Sequence, residues 1–194
     1  MKPLFILVNI LRLWPHLLVL RLHKNSFLVR DDVRRWMECG EDKAQSLTWG
    51  FLTIMTFKPE FRNLFYKRIG KAALIIQWLC PKMGTLYIAT NKIGSGLYIQ
   101  HGFATIIAAK SIGRNCWINQ QVTIGYSNAS DCPTILDNVT ISAGAKIIGG
   151  VILGNNVRVG ANAVVVRNVP DNCTVVGVPA RIVKRDGKRV NESL

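Results

Sequence analysis

Three histidines, His16, His23 and His101, are the side chains of this chain best suited to move a proton near neutral pH. An imidazole titrates close to neutrality, so one held within hydrogen-bond reach of a hydroxyl can serve as its general base. His16 and His23 lie in an apolar stretch, where a structural role is expected. His101 instead sits in Gly96-Leu97-Tyr98-Ile99-Gln100-His101-Gly102, among aliphatic residues and glycines. It is the candidate base. The five cysteines (Cys39, Cys80, Cys116, Cys132, Cys173) are odd in number and never spaced C-x-x-C, which argues against a disulfide framework or a zinc cage. No metal is expected, and the compartment reads as reducing cytoplasm. Cys116 and Cys132 are the sulfur nucleophiles to weigh against a histidine base.

The segments that must position His101 carry a period of six from about residue 86 onward. Aliphatic residues fall at Ile93 and Ile99, then at Ile106, Ile112, Ile118 and Ile124, and again at Ile135, Ile141, Ile147, Leu153, Val159 and Val165. The second register is shifted by one residue, and an eleven-residue gap precedes the third. A six-residue step matches one short strand and a tight corner, with one aliphatic side chain pointing inward and Gly or Asn supplying the unusual corner backbone. Three steps close a coil, and stacked coils pair their backbones above and below. An ordinary β-sandwich fits twelve such positions poorly. The gap contains Tyr126-Ser127-Asn128-Ala129-Ser130-Asp131-Cys132-Pro133, a loop that must leave the wall of the coil.

Upstream the texture is helical. Residues 4–22 and 61–80 read as helices, and Asp31-Asp32-Val33-Arg34-Arg35-Trp36 suits a helix start with acids in its first turn. Gly40 is expected to end a helix, and Pro59 and Pro81 punctuate the region. Three parts follow: a helical region over 1–82, a repeat domain over 83–184 and a basic tail over 185–194.

Over 194 residues the chain is 49% hydrophobic and 19% charged, which excludes disorder and collagen and leaves a folded globular protein. Lys and Arg number 25 against 11 Asp and Glu, a balance of +14 that favours anionic partners. The basic residues lack the interleaved aromatics of single-strand binders, so nucleic acid is not expected as a partner. Residues 1–22 are apolar but interrupted by Arg12 and Pro15, and read as a helix lying on something rather than crossing a membrane. The basic amphipathic segment 61–71 suits a membrane interface, giving a peripheral contact at the inner face as an expectation.

Residues 86–184 resemble the hexapeptide-repeat acyltransferases, most closely the serine acetyltransferase branch and the related O-acetyltransferases of bacterial cell-surface polysaccharides. Gln121-Val122-Thr123-Ile124-Gly125, Ile141-Ser142-Ala143-Gly144-Ala145-Lys146-Ile147 and Val176-Gly177-Val178-Pro179-Ala180-Arg181-Ile182-Val183 carry the resemblance with the segment around His101. It implies a left-handed parallel β-helix, a homotrimer, and acetyl-CoA as acyl donor in a groove between neighbouring prisms. It also implies His101 as the base for direct transfer, with a backbone N–H near Gly125 or Tyr126 facing the oxyanion. Gly125, Ala143 and Ala161 match the small residues along the pantetheine arm, and Arg167, Arg181 and Lys184 are placed to meet phosphates.

At the acceptor end this sequence departs from the serine acetyltransferases. Those enzymes carry Asp before the histidine and an Arg-His-Pro segment in the later loop, where this chain has Gln100 and Asp131-Cys132-Pro133. The acid that orients their histidine falls at Tyr87. A zwitterionic amino acid needs an anion for its ammonium and a cation for its carboxylate. On these residues the expected acceptor is the hydroxyl of a saccharide, monomeric or lipid-linked, in capsule or exopolysaccharide synthesis, contacted by Gln100, Asp131 and Cys132. Serine O-acetylation is the alternative in the same class, and a non-catalytic basic β-helix scaffold the alternative outside it.

Overall fold

The computed structural model describes residues 2–40 and 46–194. The chain divides into two compact units, one running up to Gly84 and one spanning Thr85 to Leu194.

The first unit is helical: α1 (Lys2–Leu22), α2 (Ser26–Cys39), α3 (Leu47–Phe57), α4 (Pro59–Ile69) and α5 (Ala73–Ile76). The Ser46 hydroxyl caps α3 by accepting from the Trp49 N–H at 3.2 Å. Pro59 opens α4, where its missing N–H costs nothing. Gly70, at φ 56°, ends α4, so the single helix expected over 61–80 is broken into α4, a 3-10 turn and α5. Asp31 and Asp32 lie inside α2 rather than at its start. Asp32 is buried and faces the Arg68 guanidinium, at 2.8 Å from Nε and 3.1 Å from the second nitrogen. Its charge answers a distant partner, not the α2 dipole.

Phe61 packs edge-on to Trp36 with ring centroids 5.1 Å apart, and Phe51 meets Phe65 at 5.4 Å. Each such ring removed from water contributes about 1.5–3 kcal/mol. Because Phe61, Leu64, Phe65, Tyr66 and Ile69 all point into this core, segment 61–71 does not offer its apolar face to a membrane as expected. His16 is buried beside them, as its apolar setting suggested. The Tyr66 hydroxyl gives its one proton to the Cys80 carbonyl at 2.6 Å, so the His16 Nε2–H, 2.9 Å away, donates to the tyrosine oxygen. Burial, then the Arg12 and Arg62 charges, lower the His16 pKa to about 4.

The second unit is a left-handed parallel β-helix with three faces. The first face stacks β1 (Leu86–Ile88), β3 (Thr105–Ile107), β6 (Thr123–Gly125), β9 (Lys146–Ile148) and β12 (Val164–Val165). A second stacks β4 (Ser111–Ile112), β7 (Thr134–Ile135) and β10 (Ile152–Leu153). The third joins β2 (Tyr98–Ile99), β5 (Trp117–Ile118), β8 (Thr140–Ile141), β11 (Arg158–Val159) and β13 (Cys173–Val176). It continues into an antiparallel hairpin of β14 (Arg181–Arg185) and β15 (Lys188–Ser193), so most of the stretch read as a basic tail is sheet.

Parallel registers align Ile99, Ile118, Ile141, Val159 and Val175 in one inward column. At one corner Asn115, Asn138, Asn156 and Asn172 all adopt φ between 55° and 59°. Their amides form a ladder, Asn138 to Asn156 at 3.1 Å and Asn156 to Asn172 at 2.8 Å. Asparagine tolerates the left-handed backbone, and its amide here also ties coil to coil.

One inward position differs from expectation. Ile107, not Ile106, fills the axis; Ile106 is 46% exposed. The register pairs Ile99 with Ile118 and Ile106 with Thr123. His101 and Gly102 then have no counterparts in the next coil, whose corner is two residues shorter. The following step, from Ile107 to Ile112, is one residue short. The sequence displays only the net shift of one.

Removing one partner of the Asp32–Arg68 pair strands a buried charge, so Asp32→Ala is expected to cost about 3–5 kcal/mol in urea unfolding. The double replacement Asp32→Leu with Arg68→Met should cost far less. Unfolded His16 takes a proton near pH 6.5 but folded His16 only near 4. The unfolded state thus binds more protons between these values, and stability is expected to fall by about 3 kcal/mol as pH drops through that window. Calorimetry of His16→Phe should lack this component.

Candidate active site

His101 stands on the corner insertion between the third and first faces, at φ 67°, followed by Gly102 at φ 58°. Two successive left-handed residues turn the chain out of the wall, and the Thr105 hydroxyl, donating to the Phe103 carbonyl at 3.1 Å, closes the corner beyond them. The imidazole is exposed and makes no hydrogen bond among the described residues. Tyr87, at the position of the family's orienting acid, lies on β1 with its side chain exposed.

Below His101, the Trp117 indole N–H donates to the Gln100 Oε1 at 3.2 Å, and the Trp117 ring packs edge-on against Tyr98 with centroids 4.8 Å apart. Gln100 therefore braces the floor with its oxygen and retains its amide N–H2 for an acceptor. Along the same corner stand Ala143 and Ala161, stacked through the bonds from Gly144 N–H to the Gln120 carbonyl and from Asn162 N–H to the Ala143 carbonyl. They stand two and three coils beyond the coil of His101 and carry only methyl groups there. Toward the end of the helix, a cavity of about 670 Å³ is lined by Val166, Arg167, the 177–181 turn, Ser193 and Leu194. It joins Arg167 and Arg181, two of the expected phosphate contacts, although one Arg167 nitrogen already donates to the Leu194 main-chain oxygen at 2.6 Å. Lys184 is exposed on β14 and does not line this cavity.

Gly125, Tyr126, Asp131 and Cys132 occupy a different corner, between the first and second faces. A three-residue strand, roughly 10 Å at about 3.3 Å per residue, separates it from the His101 corner. One prism therefore does not bring the Gly125 or Tyr126 amide to His101. Tyr126 and Cys132 help line a cavity of about 330 Å³ with Thr90, Lys92 and Lys110. Neither lysine is marked by the repeat, because the fold alone brings the start of the solenoid beside the loop. The Asp131 carboxylate accepts from the Ser127 hydroxyl at 3.1 and 3.0 Å and from the Asn128 N–H at 3.2 Å. Desolvation pushes its pKa up, but these bonds and the Gly150 amide outweigh that and hold it below the usual carboxylate value. Cys116 is buried, 3.2 Å from the Leu136 carbonyl, and burial pushes its thiol up to about 11. It stays protonated at neutral pH and is no acyl carrier.

Residues 132–167 match the family described as bacterial transferase hexapeptide (six repeats). A serine acetyltransferase of Staphylococcus aureus is 45% identical over 106 residues, which are 53% of this chain and 50% of the relative. The chain thus spans about half the length of the curated relatives it matches. Among solved structures, the Neisseria gonorrhoeae serine acetyltransferase in complex with serine superposes with a TM-score of 0.66 at 28% identity, covering 81% of this chain and 68% of that one. A serine acetyltransferase in complex with CoA gives 0.66 at 27%, covering 85% and 72%.

These similarities overturn the saccharide acceptor expected from Gln100 and Asp131, together with its placement in polysaccharide synthesis. The expectation rested on Gln100 and Asp131 standing where the serine acetyltransferases carry the charges that a zwitterion needs. In the structure the Asp131 carboxylate is tied down by the Ser127 and Asn128 groups of its own loop, at a different corner from His101. Residues 132–167 carry the hexapeptide repeat, and the acyltransferases that the chain resembles in both sequence and fold are the serine acetyltransferases.

Proposed function

We propose that the chain is a cytoplasmic, acetyl-CoA-dependent O-acetyltransferase whose acceptor is the hydroxyl of serine, with His101 as general base. The observation that carries this reading is the 45% identity to a serine acetyltransferase in a chain whose repeat unit displays one exposed imidazole. The small side chains of Ala143 and Ala161 suit a pantetheine arm, and the cavity at Arg167 and Arg181 suits its phosphates. Bound there, acetyl-CoA supplies an activated acetyl thioester. His101 takes the proton of the serine hydroxyl, which sharpens the oxygen as a nucleophile, and returns that proton to the departing sulfur. No cysteine carries the acetyl group. A homotrimer that sets the His101 corner of one prism against the Gly125 corner of the next would unite residues that one prism keeps apart.

Thiol release from acetyl-CoA should be faster with L-serine than with any member of a sugar panel; turnover with a sugar and none with serine would sink the assignment. His101→Asn, which keeps a residue tolerant of the left-handed backbone, is expected to lower kcat by roughly 10²–10⁴. Cys132→Ala should leave kcat close to that of the parent chain in the same assay.

A further inference from the structure

The residues of α1 divide by helical spacing into two apolar faces. Ile6, Leu13, His16 and Leu20 are buried against the rest of the first unit. On the opposite side Leu7, Leu11, Trp14, Leu18 and Leu22 recur at i, i+4, i+7, i+11 and i+15, all exposed, with Leu11 at 81% and Leu22 at 80%. No charged residue interrupts this row, which runs about 22 Å at 1.5 Å per residue. A helix apolar on all sides needs cover on all sides, and a stripe of this length is larger than the scattered apolar residues of an ordinary surface.

The charge around the stripe selects its cover. Residues 1–30 hold Lys2, Arg12, Arg21, Lys24 and Arg30 and not one acid. Arg21 and Lys24 are exposed at the end of α1. A second copy would bring the same positive charge against itself, whereas an anionic lipid surface complements it. Crossing the bilayer is ruled out by the inner face, because His16 is bonded to Tyr66 and Leu13 and Leu20 are packed within the unit. We propose that α1 lies in the plane of an anionic phospholipid bilayer, with Leu7, Leu11, Trp14, Leu18 and Leu22 in the acyl boundary and Arg21 and Lys24 at the headgroups. This surface is distinct from segment 61–71 and does not depend on which acceptor the repeat unit uses.

The test is co-sedimentation of the full chain with phosphatidylglycerol-containing vesicles and with pure phosphatidylcholine vesicles, at low and high salt, with tryptophan emission recorded in parallel. Binding to the anionic vesicles, a blue shift, and weakening by salt are expected. Leu11→Gln with Leu18→Gln, which keeps the net charge, should weaken binding by at least about tenfold. Far-UV circular dichroism and the urea unfolding midpoint of that variant should match the parent chain, which shows that its helical unit is folded. Three results would each overturn the proposal: no binding to anionic vesicles, equal binding by the double variant, or sedimentation-velocity self-association that the variant abolishes while the parent chain ignores vesicles.

Discussion

A coil of the repeat unit has backbone N–H and C=O groups along both of its edges, and these are satisfied only when the coils above and below lie in register. The bonds from Tyr98 to Cys116, Trp117 to Val139, and Thr140 to Val157, all between 2.8 and 2.9 Å, are this pairing on one face. Register in turn requires an aliphatic side chain at each inward position and, at the corner between the second and third faces, a left-handed residue. The Ile and Val columns meet the first requirement, and Asn115, Asn138, Asn156 and Asn172 meet the second. Interior and corners are one constraint seen from two sides: a slip by one residue would put Ser111 or Gly113 in the axis in place of Ile112, and Arg114 or Cys116 at the left-handed corner that Asn115 turns.

The candidate site is a local exception made affordable by that regularity. His101 and Gly102 are extra residues in a corner whose counterpart in the next coil needs none, and the β2–β5 pairing before it and the β1–β3–β6 pairing after it hold the turn in place. Carried on such an insertion, the imidazole projects from the wall while the Trp117 to Gln100 bond keeps the floor beneath it fixed. The remaining candidates distribute by corner. Ala143 and Ala161 share the corner of His101, whereas Gly125 and the 126–133 loop stand across the first face. That division follows from chain direction, since each residue is placed at the start or the end of a strand.

In the helical unit a different constraint governs. Its core takes in charged and polar groups together with the aromatics, so each must be answered locally. Arg68 answers Asp32, and the Cys80 carbonyl, Tyr66 and His16 form a chain in which every hydrogen-bonding proton has a defined direction. The apolar outer stripe of α1 is left without cover by this unit.

The sequence by itself determined the coil, because a six-residue aliphatic period with Asn and Gly at the corners has few other solutions. It also determined the candidate base, because His101 is the only histidine within that period. Only the tertiary structure decided the rest. Spacing between inward residues records net length, so an insertion of two at His101 and a shortening of one before Ile112 were legible only as a shift of one, and Ile106 stood in for Ile107. Asp32 resembled a helix-start acid until Arg68, 36 residues away, was folded against it. Asp131 resembled a specificity charge until its bonds to Ser127 and Asn128 accounted for it. In each case the side chain's type is written in the chain, but the group that satisfies it is chosen by folding.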